Sequence, residues 1–350
     1  MKAAAKSAET YFRAAAAALA MRSDSSGPDM SAALLKRHYG VTGSIATLSS
    51  EVERTVEVGI PDGGRCILKT STRPEAVDSF RFQTSALAGL QGAAGFVAPT
   101  VVRTRSGGLM FGEEQTCGYL QTRMEGIPLH QVVPTPELLF RTGRALAQLD
   151  LALARVNVLA AHRPVLWHVG CWSRLMELEQ YLPSGSVADS VRAAMAEYLE
   201  FVEPQISNVV WQVTHNDPSP FNMIVTGQGL GFIDFGDGCW SPRIQDLAIA
   251  ASHLVSDSTL PLGGAEHLIA GYASVIALSR LEARILVGLM RARQSALILV
   301  NYWRAHLFPA DAHYIKKNVA RAEHGLSILE PLDVAFGEAA VLAAVSSSLP

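Results

Sequence analysis

Residues 214–237 read Thr-His-Asn-Asp-Pro-Ser-Pro-Phe-Asn-Met-Ile-Val-Thr-Gly-Gln-Gly-Leu-Gly-Phe-Ile-Asp-Phe-Gly-Asp and concentrate side-chain oxygens of the kind that hold a hard cation. Two short apolar runs, 223–225 and 230–233, flank Thr226-Gly227-Gln228-Gly229. The glycines permit the positive φ of a tight turn, so the pattern predicts a β-hairpin. With the hairpin symmetric about Gln228, Asn222 and Asp234 stand opposite each other, close enough across the strands to share a partner. An amide oxygen and a carboxylate suit Mg²⁺, which takes one or two protein oxygens and leaves its other positions to water and substrate phosphates. Asp217, on the loop just before, belongs beside that metal.

The flanking pattern supplies the elements that must hold this stretch. Residues 209–213 read as a strand feeding the His215 loop. Residues 45–48, 55–60 and 66–70 are further strands rich in β-branched residues, with Pro61-Asp62-Gly63-Gly64 turning the second into the third. Residues 76–91 return to helical period, and Val77, Phe80, Leu87 and Leu90 form an apolar stripe that meets the sheet. Earlier, a turn-rich linker at 23–29 precedes a helix over 32–39, capped by Ser31 and ended by Gly40. Residues 109–111 and 119–124 form another strand pair, after which Glu125-Gly126-Ile127-Pro128-Leu129 marks a crossing between two parts of the chain. Thr135 and Pro136 start a helix to about residue 156, its apolar face Leu139, Leu146, Leu149, Leu153 and Val156. Residues 187–205 are helical, and so are 247–255, 265–278, 281–303 and 311–329. No internal repeat is evident.

Composition bounds the function. The chain has 350 residues, 17% charged and 49% hydrophobic, with a net charge of −3. That length buries a substantial core, and the charge gives no basic footprint for nucleic acid. Cys66, Cys117, Cys171 and Cys239 have no Cys-x-x-Cys spacing, so buried reduced thiols are expected rather than a zinc site or a disulfide framework. Lys2, Lys6 and the alanine-rich run at 14–20 superficially suggest a secretion signal. Glu9 and Arg13 interrupt it, and an amphipathic or frayed helix is the better reading. No stretch approaches the roughly 20 apolar residues of a membrane span, so a cytoplasmic protein with no membrane partner is expected.

His215-x-Asp217-x-x-x-x-Asn222, then Ile233-Asp234-Phe235-Gly236-Asp237 and Gln245-Asp246-Leu247-Ala248, resembles the aminoglycoside phosphotransferase and choline kinase family, most of all its hydroxylysine kinase branch. The resemblance covers roughly residues 31–257. It implies an α+β, two-lobed protein-kinase-like fold: an N-terminal extension and linker at 1–30, a small β-rich N-lobe at 31–121, a hinge at 122–126, and a large, mostly helical C-lobe at 127–350. It further implies ATP or GTP as co-substrate, Mg²⁺ as cofactor, and a small amine-bearing alcohol as acceptor. Hydroxylysine-like amino alcohols lead, then aminoglycosides or choline-like compounds.

Carried over residue by residue, the family pattern makes Asp217 the group that orients the acceptor hydroxyl and takes its proton late. Asn222 and Asp234 become the Mg²⁺ ligands that neutralise phosphate charge. Lys69 becomes the lysine on the nucleotide phosphates. Gln83 stands where the family carries the glutamate that pairs with that lysine, which turns an ion pair into a neutral hydrogen bond. Ser49 and Ser50, between the first two strands, are donors to phosphate, and Thr122, Arg123 and Met124 are main-chain contacts to the purine. Asp237 is placed to hold the acceptor's ammonium. Trp240, His168 and Trp172, with Trp303, are candidates to line its pocket. His215 and Asp246 are architectural, Asp246 as the N-cap of its helix. Two departures stand out: Asn216 replaces the usual glycine between His and Asp, and Pro218 and Pro220 stiffen the loop. Taken singly, Asp217 and Asn222 suit turn capping; the ordered set favours a kinase site. Two other classes stay open, a catalytically silent nucleotide-binding module and a metal-dependent hydrolase using His215, Asp217 and Asp234.

Overall fold

Alternation between two faces builds the first half of the chain. In the computed structural model, which describes residues 2–21, 28–48, 50, 52–61, 63–113 and 115–346 (side chains of 2–6 and 28–29 excepted), helices α1 (Lys2–Leu19) and α2 (Pro28–Tyr39) come first. Strands β1 (Ser44–Leu48), β2 (Arg54–Gly59) and β3 (Arg65–Ser71) follow, then α3 (Ala76–Gly89), β4 (Val101–Val102), β5 (Phe111–Glu113) and β6 (Thr116–Thr122). The strands form an antiparallel sheet in the order β1-β2-β3-β6-β4, with β5 on β6. The register pairs Val56 with Leu68 and Leu68 with Leu120. With Val58 and Cys66 these form one apolar face, packed against Leu34 and Leu35 of α2. One residue along, Lys69 pairs with Tyr119 and so projects to the other face. Phe80 of α3 meets Tyr119 there edge-on at 5.4 Å.

The second half begins with β7 (Ile127–Pro128), α4 (Pro136–Leu153), α5 (Val169–Trp172) and α6 (Ser186–Glu197), the last continuing through π and 3₁₀ turns to Asn208. Next come β8 (Trp211–Thr214), β9 (Met223–Thr226), β10 (Gly229–Phe232), β11 (Cys239–Pro242), α7 (Ile244–Ser252) and α8 (Glu266–Ala273). Helices α9 (Arg280–Leu307), α10 (Ala312–Ile315), α11 (Val319–Leu329) and α12 (Val334–Ser346) complete it. Thr135 caps α4 through Leu138 N–H at 3.2 Å, as its Thr-Pro start predicts. Helix α9 opens with a capping box between Ser279 and Glu282 and then runs through the core, buried on nearly every side. It carries Arg291, Arg293, Gln294 and Arg304 inward with its leucines. The result is a β-rich small lobe on a helical large lobe.

Several elements differ from expectation. Helix α2 starts at Pro28, a proline suited to a first turn, so Ser31 lies inside it, buried, and accepts from Arg54 Nε at 3.3 Å instead of capping. The helix expected over 311–329 is broken into α10 and α11, and α12 lies beyond the expected helical region. Helix α1, by contrast, is the amphipathic helix of the two expected alternatives, docked through one face. Phe12, Ala15 and Leu19 are buried, Tyr11 hydroxyl donates to the Arg163 carbonyl at 2.8 Å, and the Arg73 guanidinium donates to the carbonyls of Ala18 and Met21. All four cysteines are buried and free. No helix among the described residues is long and apolar enough to cross a membrane.

Candidate active site

The hairpin forms, but its register is one residue from the symmetric one. Thr226 pairs with Gly229, so the turn is Gly227-Gln228 alone, held by Thr226 Oγ, which accepts from Gln228 N–H at 3.1 Å. Asn222 consequently stands opposite Ile233, whose amide donates to the Asn222 carbonyl at 2.9 Å. A one-residue shift would send Asp234 to the wrong face. Backbone conformation corrects this: Asp234 has φ 62°, a left-handed residue that breaks strand alternation and turns its carboxylate toward the small lobe.

That carboxylate meets Lys69. Lys69 Nζ lies 2.9 Å from Asp234 Oδ1, 2.6 Å from Glu53 Oε1 and 3.2 Å from Gln83 Oε1. Burial works against the charge, yet the two carboxylates hold the Lys69 ammonium well above its ordinary pKa, and Lys69 in turn holds Asp234 below its own. Gln83 does replace the helix glutamate with a neutral hydrogen bond. The ion pair itself survives through Glu53, from the segment between β1 and β2. Gln83 knits the group together, accepting from Tyr119 hydroxyl at 2.8 Å and donating to Ser79 Oγ at 3.0 Å and Glu53 Oε2 at 3.4 Å. Spacing conceals Glu53 because its partner sits on a neighbouring strand. Ser50 is half-buried in the same segment, while Ser49 lies outside the described residues.

On the other side of the hairpin, the backbone of the catalytic loop is fixed from within. Asp246 carboxylate oxygens accept from the amides of His215 and Asn216, both at 2.7 Å. Asp246 is therefore not an N-cap: α7 starts at Ile244, and this residue sits in its first turn tying down the loop. Burial pushes Asp246 up to about 6. Asp150 is raised well above the ordinary carboxylate range, first by burial and then by Asp246. Asn216 has φ 63°, which explains why a glycine suits this position. The asparagine tolerates it because its side chain is held at both ends, Nδ2 donating to the Asp237 carbonyl at 3.0 Å and Oδ1 accepting from Gln245 at 2.6 Å. His215 is fully buried. Its Nε2–H donates to the Ile233 carbonyl at 3.0 Å, one residue short of Asp234, and Nδ1 accepts from Asp217 N–H at 3.3 Å. Burial pulls it down to about 4, so the ring is neutral near pH 7.

Asp217 is held on both oxygens. Asn222 Nδ2 donates to Oδ2 at 2.7 Å and Arg293 Nη2 of α9 to Oδ1 at 3.0 Å. Such a carboxylate is a well-aimed acceptor. With the Asn222 nitrogen turned to Asp217, its side-chain oxygen is left as a donor of the same type as the Asp234 carboxylate, and two oxygens suit Mg²⁺. Among the described residues no group of three or more His, Cys, Asp or Glu side chains is arranged to hold a metal. Arg163, which no motif announces, clamps the turn after Asp234 by donating to the carbonyls of Gly236 and Gly238 at 2.5 and 2.6 Å.

The remaining candidates divide. At the crossing between lobes, the amides of Thr122 and Arg123 donate to the Thr100 and Arg65 carbonyls, both at 2.9 Å. Neither amide is therefore placed to serve a purine. Met124 packs on the hairpin instead: a Cβ on Gly231 would come within 2.1 Å of its sulfur. Asp237 is half-buried beside the loop. His168 is structural, since Nδ1 accepts from Gly170 N–H and Nε2–H donates to the Trp240 carbonyl, both at 3.0 Å. Trp172 is fully buried, its Nε1–H donating to the Trp167 carbonyl at 3.1 Å, and Trp303 is buried in α9. Both pack the core. Trp240 alone of these is exposed, on β11, with His162 tilted against it at 5.7 Å.

The model of the phosphotransferase enzyme family (APH) matches residues 44–282. A hydroxylysine kinase of Danio rerio is 27% identical over 292 residues, 77% of this chain and 82% of that relative. Among solved structures, an amicoumacin kinase in complex with AMP-PNP, Ca²⁺ and Ami superposes with a TM-score of 0.66 at 14% identity, covering 88% of this chain and 95% of the other. A microcompartment-associated aminopropanol kinase gives 0.58 at 18%, covering 87% and 97%.

Proposed function

Since the chain belongs to the phosphotransferase enzyme family, we propose that it moves the γ-phosphate of ATP or GTP to a hydroxyl of a small amine-bearing acceptor. Hydroxylysine-like amino alcohols lead as acceptors, followed by aminoglycoside- and choline-like compounds, a ranking supported by the hydroxylysine kinase relative. One observation carries the reading: a single hairpin joins Lys69 and Asp234 on its small-lobe side to Asn222 and Asp217 on the other.

Phosphoryl transfer asks the protein mainly to align groups and balance charge. Lys69 contacts the nucleotide phosphates, kept charged and aimed by Glu53 and Gln83. With the amides of Thr122 and Arg123 engaged, Met124 is the main-chain candidate for the purine, and Ser49 and Ser50 are candidates for the phosphates. Asn222 and Asp234 would hold Mg²⁺, which supplies neutralisation of the charge on the phosphate oxygens. Asp217 accepts a hydrogen bond from the acceptor hydroxyl, which aims a lone pair of the hydroxyl oxygen at the γ-phosphorus. It receives the proton as the new O–P bond forms and the bond from the γ-phosphorus to the β-phosphate oxygen breaks, releasing ADP or GDP. The Arg293 ion pair fixes the carboxylate in that position. Asp237 and the exposed Trp240 are the candidates for the acceptor's ammonium.

Product release with ATP and GTP over amino alcohols and aminoglycosides tests this. Turnover dependent on an acceptor hydroxyl is expected. Silence with both nucleotides, in a protein that binds them, would leave a nucleotide-binding module.

A further inference from the structure

The turn that follows Asp234 is held from a segment outside the His215–Asp237 stretch. Arg163 Nη2 donates to the Gly236 carbonyl at 2.5 Å, and Nη1 donates to the carbonyls of Gly238 at 2.6 Å and Ala160 at 3.2 Å. Two glycines leave this turn a backbone freedom that other residues would restrict, and the guanidinium fork fixes both of their carbonyls. Asp234 needs that support. Its φ of 62° is left-handed, a conformation that a non-glycine residue keeps only where its surroundings over-determine it. The guanidinium also lies 4.5 Å over the Phe82 ring of α3. Gly238 packs on the same ring so closely that a Cβ there would come within 2.3 Å of it.

The segment that carries Arg163 is itself held by α1. Tyr11 hydroxyl donates to the Arg163 carbonyl at 2.8 Å and accepts from Val165 N–H at 3.1 Å, so one hydroxyl brackets residues 163–165. Its ring tilts against His168 at 5.6 Å. The other end of α1 is tied to the small lobe. Arg73, just beyond β3 and 9% exposed, donates to the carbonyls of Ala18 and Met21 at 3.0 and 3.1 Å. Strand β3 carries Lys69, and the turn that Arg163 clamps begins at Asp234, 2.9 Å from Lys69 Nζ. Helix α1 therefore runs from the strand of one partner to the clamp on the other, although it lies outside residues 44–282, which the family model matches.

We propose that Arg163 is a positioning residue for Asp234 and that α1 sets it through Tyr11, which makes the N-terminal helix a working part of the metal site; the proposal rests on Asp234 being a ligand of Mg²⁺. Neighbours that orient a ligand tighten the site, and losing one typically costs about 10–100-fold in metal affinity. Two substitutions isolate the links. Arg163→Lys keeps the charge but lacks the fork that spans two carbonyls, and Tyr11→Phe keeps the ring while removing the hydroxyl.

Titrating the full chain with Mg²⁺ at saturating AMP-PNP, and following the rise in thermal midpoint, tests this without turnover. Arg163→Lys should raise the apparent Mg²⁺ constant about tenfold and Tyr11→Phe about threefold. The double variant should match Arg163→Lys alone, because the hydroxyl acts through the guanidinium. In steady-state kinetics the same variants should raise the Mg²⁺ requirement while acceptor KM changes less than about twofold. A wild-type Mg²⁺ constant in Arg163→Lys, even with a lower midpoint for the ligand-free protein, would overturn the positioning role. A wild-type constant in Tyr11→Phe, or additive losses in the double variant, would overturn the link to α1. If Arg163→Lys does not fold, Tyr11→Phe decides by the same reading. Asp234→Asn separates all this from the reading beneath it. That variant should abolish the Mg²⁺-dependent rise; a rise that persists there, or is missing from the wild type, removes Asp234 as a metal ligand and the proposal with it.

Discussion

The two sides of the Asn222–Asp234 hairpin are built on opposite principles. On the small-lobe side the described groups around Lys69 are partnered internally: two carboxylates, an amide and a tyrosine hydroxyl form one cluster. On the large-lobe side Arg293 satisfies Asp217 with one nitrogen and leaves two others unpartnered among the described residues. A closed cluster sets the Lys69 charge in place in advance, whereas the Asp217 side is held from a single long helix through one guanidinium.

Breaking the open side at its reacting group should have the largest effect. Asp217→Ala is expected to lower kcat by about 10³-fold or more while nucleotide still raises the thermal midpoint; normal turnover would remove Asp217 from the mechanism. Breaking the closed side at its centre comes next. Lys69→Ala should cost about 100-fold in kcat/KM for nucleotide, read by steady-state kinetics, with acceptor KM little changed.

The comparison is sharpened by relocating the ion pair. Glu53→Gln should raise nucleotide KM about tenfold, since Lys69 then keeps one carboxylate of two. Adding Gln83→Glu, which restores a carboxylate from the helix, should recover most of that loss. Failure of the double variant to recover would mean that Glu53 acts through its own segment and not through Lys69.

The smallest effect is on stability. A buried histidine held near pKa 4 resists protonation in the fold. Its contribution is complete above pH 6.5, the unfolded value, and is lost as pH falls toward 4, by about 3 kcal/mol. Asp246, raised by burial, acts with the opposite sign in the same range, but it is common to wild type and His215→Gln. The thermal midpoint of the wild type should therefore drop more steeply between pH 6.5 and 4 than that of His215→Gln; parallel curves would contradict a neutral His215.

Much of this was legible in residue order, because local rules decide it. The Thr-Pro start of α4, the β2–β3 turn and the hairpin glycines act over a few residues. The order and spacing of His215, Asp217, Asn222 and Asp234 carry the fold with them through family resemblance. What escaped depends on contacts across the fold. Glu53 replaces the helix glutamate because neighbouring strands bring it to Lys69, and Arg293 reaches Asp217 from a helix 76 residues downstream. The hairpin register slipped by one because a two-residue turn and a three-residue turn have the same glycine signature. His168 and Trp172 are held by backbone carbonyls, that of Trp240 on β11 and that of Trp167 in its own segment, a fate that an aromatic ring's amphipathic character does not reveal.

The central claim is transfer of a phosphate to an acceptor hydroxyl at Asp217. It is tested most directly by incubating the protein with γ-labelled ATP or GTP, Mg²⁺ and each candidate amine-bearing alcohol, and identifying the labelled product by mass spectrometry. The account predicts a phosphate monoester on the acceptor hydroxyl, formed by the wild type and absent with Asp217→Ala. Label appearing only as inorganic phosphate, or an equal yield of ester from Asp217→Ala, would contradict it.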